Sequence, residues 1–208
     1  MVLDLNKEFN NILSKIDTNN KPNLFLHVCC GPCSAGVFYR LVEKFNVYLI
    51  FYNSNIDTML EYQLRLYELK QYILKSNYNF KIIYDKYNHN EFINFVLGLE
   101  NEPEGGKRCN KCFELRLKHS FSIALEHIKS NNLNNNKNYL CSTLSVSPHK
   151  NADLIYEIGS KICENSMIEY LPSDFKKQDG YLNSINNSKK FNLYRQNYCG
   201  CEFSKCIK

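Results

Sequence analysis

The alternation of short apolar runs with amphipathic stretches along this chain predicts strands and helices in turn. Residues 3–16 read as a helix, and the run Leu24-Phe25-Leu26-His27-Val28 reads as a buried strand that stops at Cys29-Cys30-Gly31-Pro32-Cys33. A helix over 34–44 and a strand over 47–52 follow, the strand closing on the polar loop Asn53-Ser54-Asn55-Ile56-Asp57. Tyr62, Leu66, Leu69 and Ile73 then recur at helical spacing. Residues 80–84 predict a third strand, 91–99 a short helix, and Leu117, Phe121, Ala124 and Ile128 the stripe of a longer one. An Asn-rich connector at 131–138 leads to a fourth strand at 139–144. Ile155, Ile158 and Ile162 mark another helix, and 168–171 a fifth strand.

Strands that alternate with helices imply an α/β fold: a parallel, Rossmann-like sheet covered on both faces. The whole chain, 1–208, reads as a single α/β domain, with a C-terminal extension over 172–208 packed on it. In such sheets ligands bind beyond the carboxyl ends of the strands. The cysteines after the first strand and the Asn/Asp loop after the second therefore belong to one edge. The order of the strands is not readable from the pattern.

Composition narrows the chemistry. The first 21 residues are polar and lack the apolar core of a signal peptide, and the longest apolar runs are too short to cross a membrane. A cytoplasmic address follows, and there ten cysteines are poor material for a disulfide framework. Close-set cysteines in that compartment bind metal or do redox work. The net charge of +5 permits a nucleic-acid partner without requiring one.

Three cysteine groups stand out: Cys29-Cys30 with Cys33, Cys109-Asn110-Lys111-Cys112, and Cys199-Gly200-Cys201. The first two lie beside helix starts, where oriented N–H groups favour thiolates. Four thiolates from Cys29, Cys30, Cys109 and Cys112 suit an all-cysteine iron–sulfur cluster or a structural zinc, and spacing does not choose between them. Cys30-Gly31-Pro32-Cys33 also matches a thioredoxin-like dithiol between strand and helix, but that reading leaves the other cysteine pairs without a role. A disulfide across one residue, as between Cys199 and Cys201, closes a strained ring; the intervening Gly200 relieves part of that strain, which suits a pair that cycles. Cys163 falls in a helical stripe and reads as core, Cys206 as incidental, and Cys141 as either core or site.

With these residues in view the chain resembles the QueH-type epoxyqueuosine reductases. The likeness rests on HVCCGPCS at 27–34, FYNSNID at 51–57, Glu61-Tyr62 with Arg65-Leu66, KRCNKCFELRL at 107–117, STLSVSP at 142–148 and YRQNYCGCEFS at 194–204. One departure is Cys141-Ser142-Thr143-Leu144, where Thr-Thr-Leu is expected; the serine keeps the hydroxyl. The resemblance implies an enzyme that reduces the epoxide of epoxyqueuosine in tRNA to queuosine. It implies a [4Fe-4S] cluster on Cys29, Cys30, Cys109 and Cys112 and a redox-active disulfide between Cys199 and Cys201. It further implies a second, mononuclear iron, for which Cys33 and Asp57 are candidates, and an external electron donor it does not identify. The tRNA partner directs attention to Arg108, Lys111, Arg116, Lys118 and Arg195 as phosphate contacts, and to Tyr194 and Tyr198 as stacking surfaces. Three rivals remain at this point, the thioredoxin-like dithiol oxidoreductase being one. A tRNA-thiolating enzyme of similar fold would need an SGGxDS-type phosphate loop where this chain has 29–34. A zinc-stabilised nucleic-acid-binding module would need no redox chemistry.

Overall fold

The computed structural model describes residues 3–205. Cys206 lies outside the described residues. Five strands, β1 (Asn23–His27), β2 (Asn46–Phe51), β3 (Lys81–Tyr84), β4 (Asn138–Ser142) and β5 (Ile168–Tyr170), form one sheet in the order β3-β2-β1-β4-β5. Every neighbouring pair is parallel. The central strands β1 and β4 are buried along their whole length, as befits strands covered on both faces. The edge strand β3 is partly exposed.

The chain first winds outward from β1 to β3, then crosses back to β4 and winds the other way. Right-handed crossovers then put the two sets of helices on opposite faces. One face carries α1 (Leu5–Lys15), α2 (Gly31–Ala35), α3 (Phe38–Leu41) and α4 (Met59–Lys75), over a core that includes Phe9, Leu26, Phe38, Leu49, Phe51 and Leu69. After the short α5 (His89–Phe95), helices α6 (Lys107–Ser130) and α7 (Ala152–Cys163) cover the other face, around Phe25, Ile50, Leu117, Ile128, Leu140 and Ile155. None of the described helices is long and apolar enough to cross a membrane. Local signals set the helix starts: Asp4 accepts the N–H groups of Asn6 and Lys7, Thr58 that of Glu61, and Asn151 those of Asp153 and Leu154.

Reversal of the winding places the switch point between β1 and β4, where the strands part beyond their carboxyl ends. Buried polar bonds tie the two strands there. Nδ1 of His27 accepts the Ser142 hydroxyl at 2.6 Å, and its Nε2–H donates to the Tyr52 carbonyl at 3.1 Å. Ser142 Oγ accepts in turn from the Leu144 N–H at 3.1 Å. That bond turns the chain into a 3-10 helix over Thr143–Val146, so the expected fourth strand ends at Ser142 instead of Leu144. Burial foremost, then Arg116, holds the His27 imidazole at about 3, and it stays neutral at any physiological pH.

Two further differences from the sequence pattern share a cause. The expected helix over 34–44 is broken at Gly36 and Val37, and an unforeseen helix, α8 (Gly180–Lys190), packs on α2. The buried positions of α8 are Gly180, Ser184 and Ser188, a seam of small residues without the large apolar stripe that reveals a helix in sequence. The seam lets backbones touch: a Cβ on Gly36 would run into the Gly180 carbonyl oxygen and stand 3.0 Å from the Ser184 Cβ. Gly36→Ala is therefore expected to destabilise the fold by about 1–3 kcal/mol, the usual cost of overpacking, as read by denaturant midpoint. Ala at exposed Gly98, where nothing lies within reach of a Cβ, tests backbone strain without overpacking.

Candidate metal and dithiol site

At the switch point β1 runs through Val28 into the cysteines. The Cys29 N–H donates to Thr143 Oγ1 at 3.1 Å, and the Thr143 hydroxyl donates to the Cys29 sulfur at 3.3 Å. Cys30 is the residue ahead of α2, and Cys33 lies within that helix. The Sγ atoms of Cys29 and Cys30 are 3.8 Å apart, and those of Cys29, Cys30 and Cys33 all lie within 4.8 Å of one another. Among the described residues this is the one set of three or more His, Cys, Asp or Glu side chains gathered so closely. Sulfur hydrogen bonds from Cys30 and then Cys33, with Lys150 and Arg116 beyond them, hold the Cys29 thiol well below the usual thiol range. Bonds to Cys29 and Cys30 push Cys33 well above it, and the bond to Cys29 pushes Cys30 up to about 11 against the lowering effect of Cys33. One proton leaves readily and the next two resist, because three thiolates at this spacing repel unless a cation lies among them.

A second group forms across from the first. Cys109 and Cys112 occupy the opening turns of α6; the Gly105 N–H donates to Cys109 Sγ at 3.2 Å. Cys112 is buried, and burial raises its thiol to about 12. Cys109, Cys112, Cys199 and Cys201 line a small recess of about 20 Å³. Beside it opens a cavity of about 550 Å³, lined by Cys29, Cys33, Arg65, Arg116, Arg195 and Tyr198 among others. Cys199, Lys150, His149 and Glu104 line both, so the CxC segment bridges the two cysteine groups. The structure thus gathers Cys29, Cys30 and Cys33 tightly, and Cys109, Cys112, Cys199 and Cys201 around the adjoining recess. Three buried polar atoms on these walls, Arg108 Nε, Arg116 Nε and Asn55 Oδ1, have no protein partner. Soft, buried, mutually repelling sulfurs, with lysine and arginine nearby and orphaned guanidinium N–H donors, fit an iron–sulfur group with its negative charge.

The CxC segment is held from α4 and from the loop after β2. Arg65 is only 3% exposed; its Nε donates to Glu61 at 2.7 Å, Nη1 to the Cys199 carbonyl at 2.9 Å and Nη2 to the Tyr198 carbonyl at 3.4 Å. The Asp57 N–H donates to the Gly200 carbonyl at 2.9 Å. The Tyr198 hydroxyl donates to the Asp57 carboxylate at 3.1 Å, and Lys205 pairs with the same group. Asp57, a candidate iron ligand from sequence, here fastens the C-terminal segment and lines neither cavity. Gly200 has φ +133°, and a Cβ there would lie 3.1 Å from both Arg65 Nη1 and Asn55 Nδ2, so this position needs glycine. Cys199 and Cys201 are free thiols in this conformation.

The basic residues divide in a way the sequence did not signal. Arg108 is buried; it donates to the carbonyls of Leu99, Glu100 and Glu102 and packs over the Phe203 ring, so it braces the loop ahead of α6. Arg116 is buried on the cavity wall and donates to Asn53 Oδ1. Lys111 and Lys118 both pair with Glu114. Arg195 donates to the Ser184 carbonyl and hydroxyl of Ser188, each at 3.2 Å, and Tyr198 stacks under Arg65. Lys150 was not singled out from sequence. Burial works to lower its pKa, yet Cys199, Cys29 and Cys33 raise it overall, which keeps the ammonium charged between the cysteine groups. Only its place just beyond the STLSVSP block hinted at it. Thr143 and Glu104 were likewise passed over as site residues. Cys141 is fully buried in the core under α1–α4, and Cys163 in the core under α6 and α7; both stand outside the site.

A family model described as epoxyqueuosine reductase QueH matches residues 24–206. Curated proteins of that name are similar along most of their length. The one from Streptococcus pyogenes is 36% identical over 188 residues, covering 88% of this chain and 71% of the relative. The one from Staphylococcus aureus is 37% identical over 190 residues, covering 88% and 76%. The one from Staphylococcus epidermidis is 35% identical over 209 residues, covering 97% and 84%. All three cysteine groups and the residues that hold them fall inside the matched span, and the chain belongs to the epoxyqueuosine reductase QueH family.

Proposed function

We propose that this chain reduces the epoxide of epoxyqueuosine in tRNA to the alkene of queuosine, with a [4Fe-4S] cluster and the Cys199/Cys201 dithiol. The observation that carries the reading is that Cys199 of the CxC segment lines both the recess of Cys109 and Cys112 and the adjoining cavity of Cys29 and Cys33, whose volume of about 550 Å³ is large enough for a nucleoside. Cys29, Cys30, Cys109 and Cys112 are the residues assigned to the cluster, and Cys33 to a second iron. When bound, these metals supply one-electron transfer and an electrophile for the epoxide oxygen.

The protein's own part follows from the balance of the reaction. Conversion of an epoxide to an alkene and water consumes two electrons and two protons. Oxidation of the Cys199/Cys201 dithiol to a disulfide releases that number of each, and an external reductant then returns the pair to the dithiol. Arg65 acts as a positioning residue: by gripping the carbonyls of Tyr198 and Cys199 it fixes where the Cys199 sulfur meets the cavity. Lys150 and Arg116 offset the negative charge of the sulfur groups. Family membership argues against the zinc-module and tRNA-thiolating readings.

Anaerobic purification is expected to yield a brown protein with iron and acid-labile sulfide, and Cys29→Ser or Cys112→Ser to lose both; colourless protein with one zinc sinks the cluster. Multiple-turnover reduction of epoxyqueuosine-tRNA is expected to stop in Cys199→Ser and Cys201→Ser while the iron content holds. Unchanged turnover in either variant removes the dithiol from the mechanism. Arg65→Lys keeps the charge but loses the fork. Its kcat is expected to fall by up to about 10²-fold, as small misplacements do, with KM little changed and faster alkylation of Cys199. A change confined to KM refutes the positioning role.

A further inference from the structure

If the substrate is a tRNA, its backbone needs a path, and the four basic residues that sequence suggested on α6 are poorly placed to form one. Arg108 and Arg116 are buried and bonded to protein oxygens, away from the surface a backbone would cross, and Lys111 and Lys118 share the carboxylate of Glu114. A different surface has the right character. Between Asp179 and Glu202 the chain carries no Asp or Glu, but it carries Lys189, Lys190 and Arg195 with Tyr181, Tyr194 and Tyr198.

Helix α8 leads from the reaction cavity to a second, open groove. Tyr181 and Ser184 lie on the cavity wall, while Asn183, Asn187 and Lys190 of the same helix line a groove of about 630 Å³ against the end of α4. Tyr181 and Lys190 are nine residues apart, about 14 Å along the axis, enough for a few nucleotides. No carboxylate lines this groove; Lys75, Lys190, Tyr39, Tyr78 and Phe191 do. The nearby Glu68 of α4 is occupied by the Tyr194 N–H at 3.0 Å. The Lys75 ammonium donates to the Phe191 carbonyl at 3.0 Å, which aims it at the groove and leaves its other protons free. Lysines at helix ends are favoured by the dipole in any protein. What sets this surface apart is the unbroken run without acid that joins it to the cavity.

We propose that the groove between the ends of α4 and α8 is an RNA-binding surface. It holds the phosphates of the strand flanking the nucleoside that enters the cavity, with Lys75 and Lys190 as phosphate contacts and Tyr39 available for stacking. The proposal rests on the tRNA substrate named above. Single-stranded RNA is held in this manner elsewhere, by basic side chains along the backbone and aromatic faces under the bases.

The test is tRNA binding by the intact protein across a range of salt. The Lys75→Glu/Lys190→Glu variant is expected to raise Kd about tenfold at physiological salt, and Lys75→Gln/Lys190→Gln to lower the slope of log Kd against log salt by about 1.4–1.8, for two contacts at 0.7–0.9 each. Lys129→Glu on α6, across the sheet, is the control and should leave both unchanged. At saturating epoxyqueuosine-tRNA, kcat should equal that of the parent, since neither lysine lies at the reacting atoms. Unchanged affinity and slope in the double variants overturn the proposal, as they would if the groove received another protein. An equal loss in Lys129→Glu overturns it too, since general charge would then explain the effect. If the parent binds tRNA but never reduces it, the functional reading falls while the binding comparison still decides the groove.

Discussion

The hydrogen bonds between Cys29 and Thr143 join the ends of β1 and β4 at the place where the sheet's winding reverses. Much of the site hangs on that join. It fixes where the chain leaves the sheet, so that Cys30 and Cys33 fall beside Cys29 as α2 begins. The neighbouring His27–Ser142 bond is made possible by a buried imidazole that cannot take up a proton, which leaves Nδ1 free as an acceptor. The serine in place of the expected threonine is explained in these terms, because the bond needs only the hydroxyl.

The same place explains the arginines and the lysine gathered there. Burying a cation away from water is costly unless something offsets it. Arg65 meets that cost with Glu61 and two carbonyls, and Arg108 with three carbonyls. Arg116 makes one bond to Asn53 and keeps an unpartnered Nε, and Lys150 faces sulfurs. Arg65 and Arg108 brace loops and also line the cavity and the recess, where the Nε atoms of Arg108 and Arg116 have no protein partner. Unpartnered donors beside the thiols agree with an anionic group among the cysteines.

Much of this fold was legible because its central strands are continuous apolar runs and most of its helices carry a large apolar stripe. Leu24–Val28 and the stripe of Tyr62, Leu69 and Ile73 announce themselves in that way. The cysteines were legible because their spacing is unusual in any reducing compartment. Strand order was not legible, since it depends on which edge each crossover takes. Helix α8 was hidden because glycine and serine, not leucine, form its buried seam. The break at Gly36 was hidden for the same reason, as it is the other half of that contact. Arg108 and Lys111 look alike in sequence, three residues apart beside the CxxC, yet one is buried and one exposed. Arg108 stands in the first turn, within reach of the loop carbonyls of Leu99, Glu100 and Glu102, while Lys111 one turn on pairs with Glu114, and a residue's charge carries no information about that.

A net charge of +5 says little about where positive potential lies, because the sum runs over pairs that cancel. On α6 the exposed Lys111 and Lys118 share the one carboxylate of Glu114, which offsets part of their charge. Along 180–201 no acid is interleaved, and the helix that small residues hold close to α2 reaches from the cavity wall at Tyr181 and Ser184 to the open groove at Asn187 and Lys190. The seam that made this helix hard to read in sequence thereby does two things at once. It presses α8 onto the face that carries Cys33, and it leaves Asn183, Asn187 and Lys190 to line the open groove, the two amides bonded to the Tyr39 hydroxyl and the Ala35 carbonyl. Tight packing on one side and an uncancelled charge on the other are both consequences of the same run of Gly, Ser, Asn and Lys.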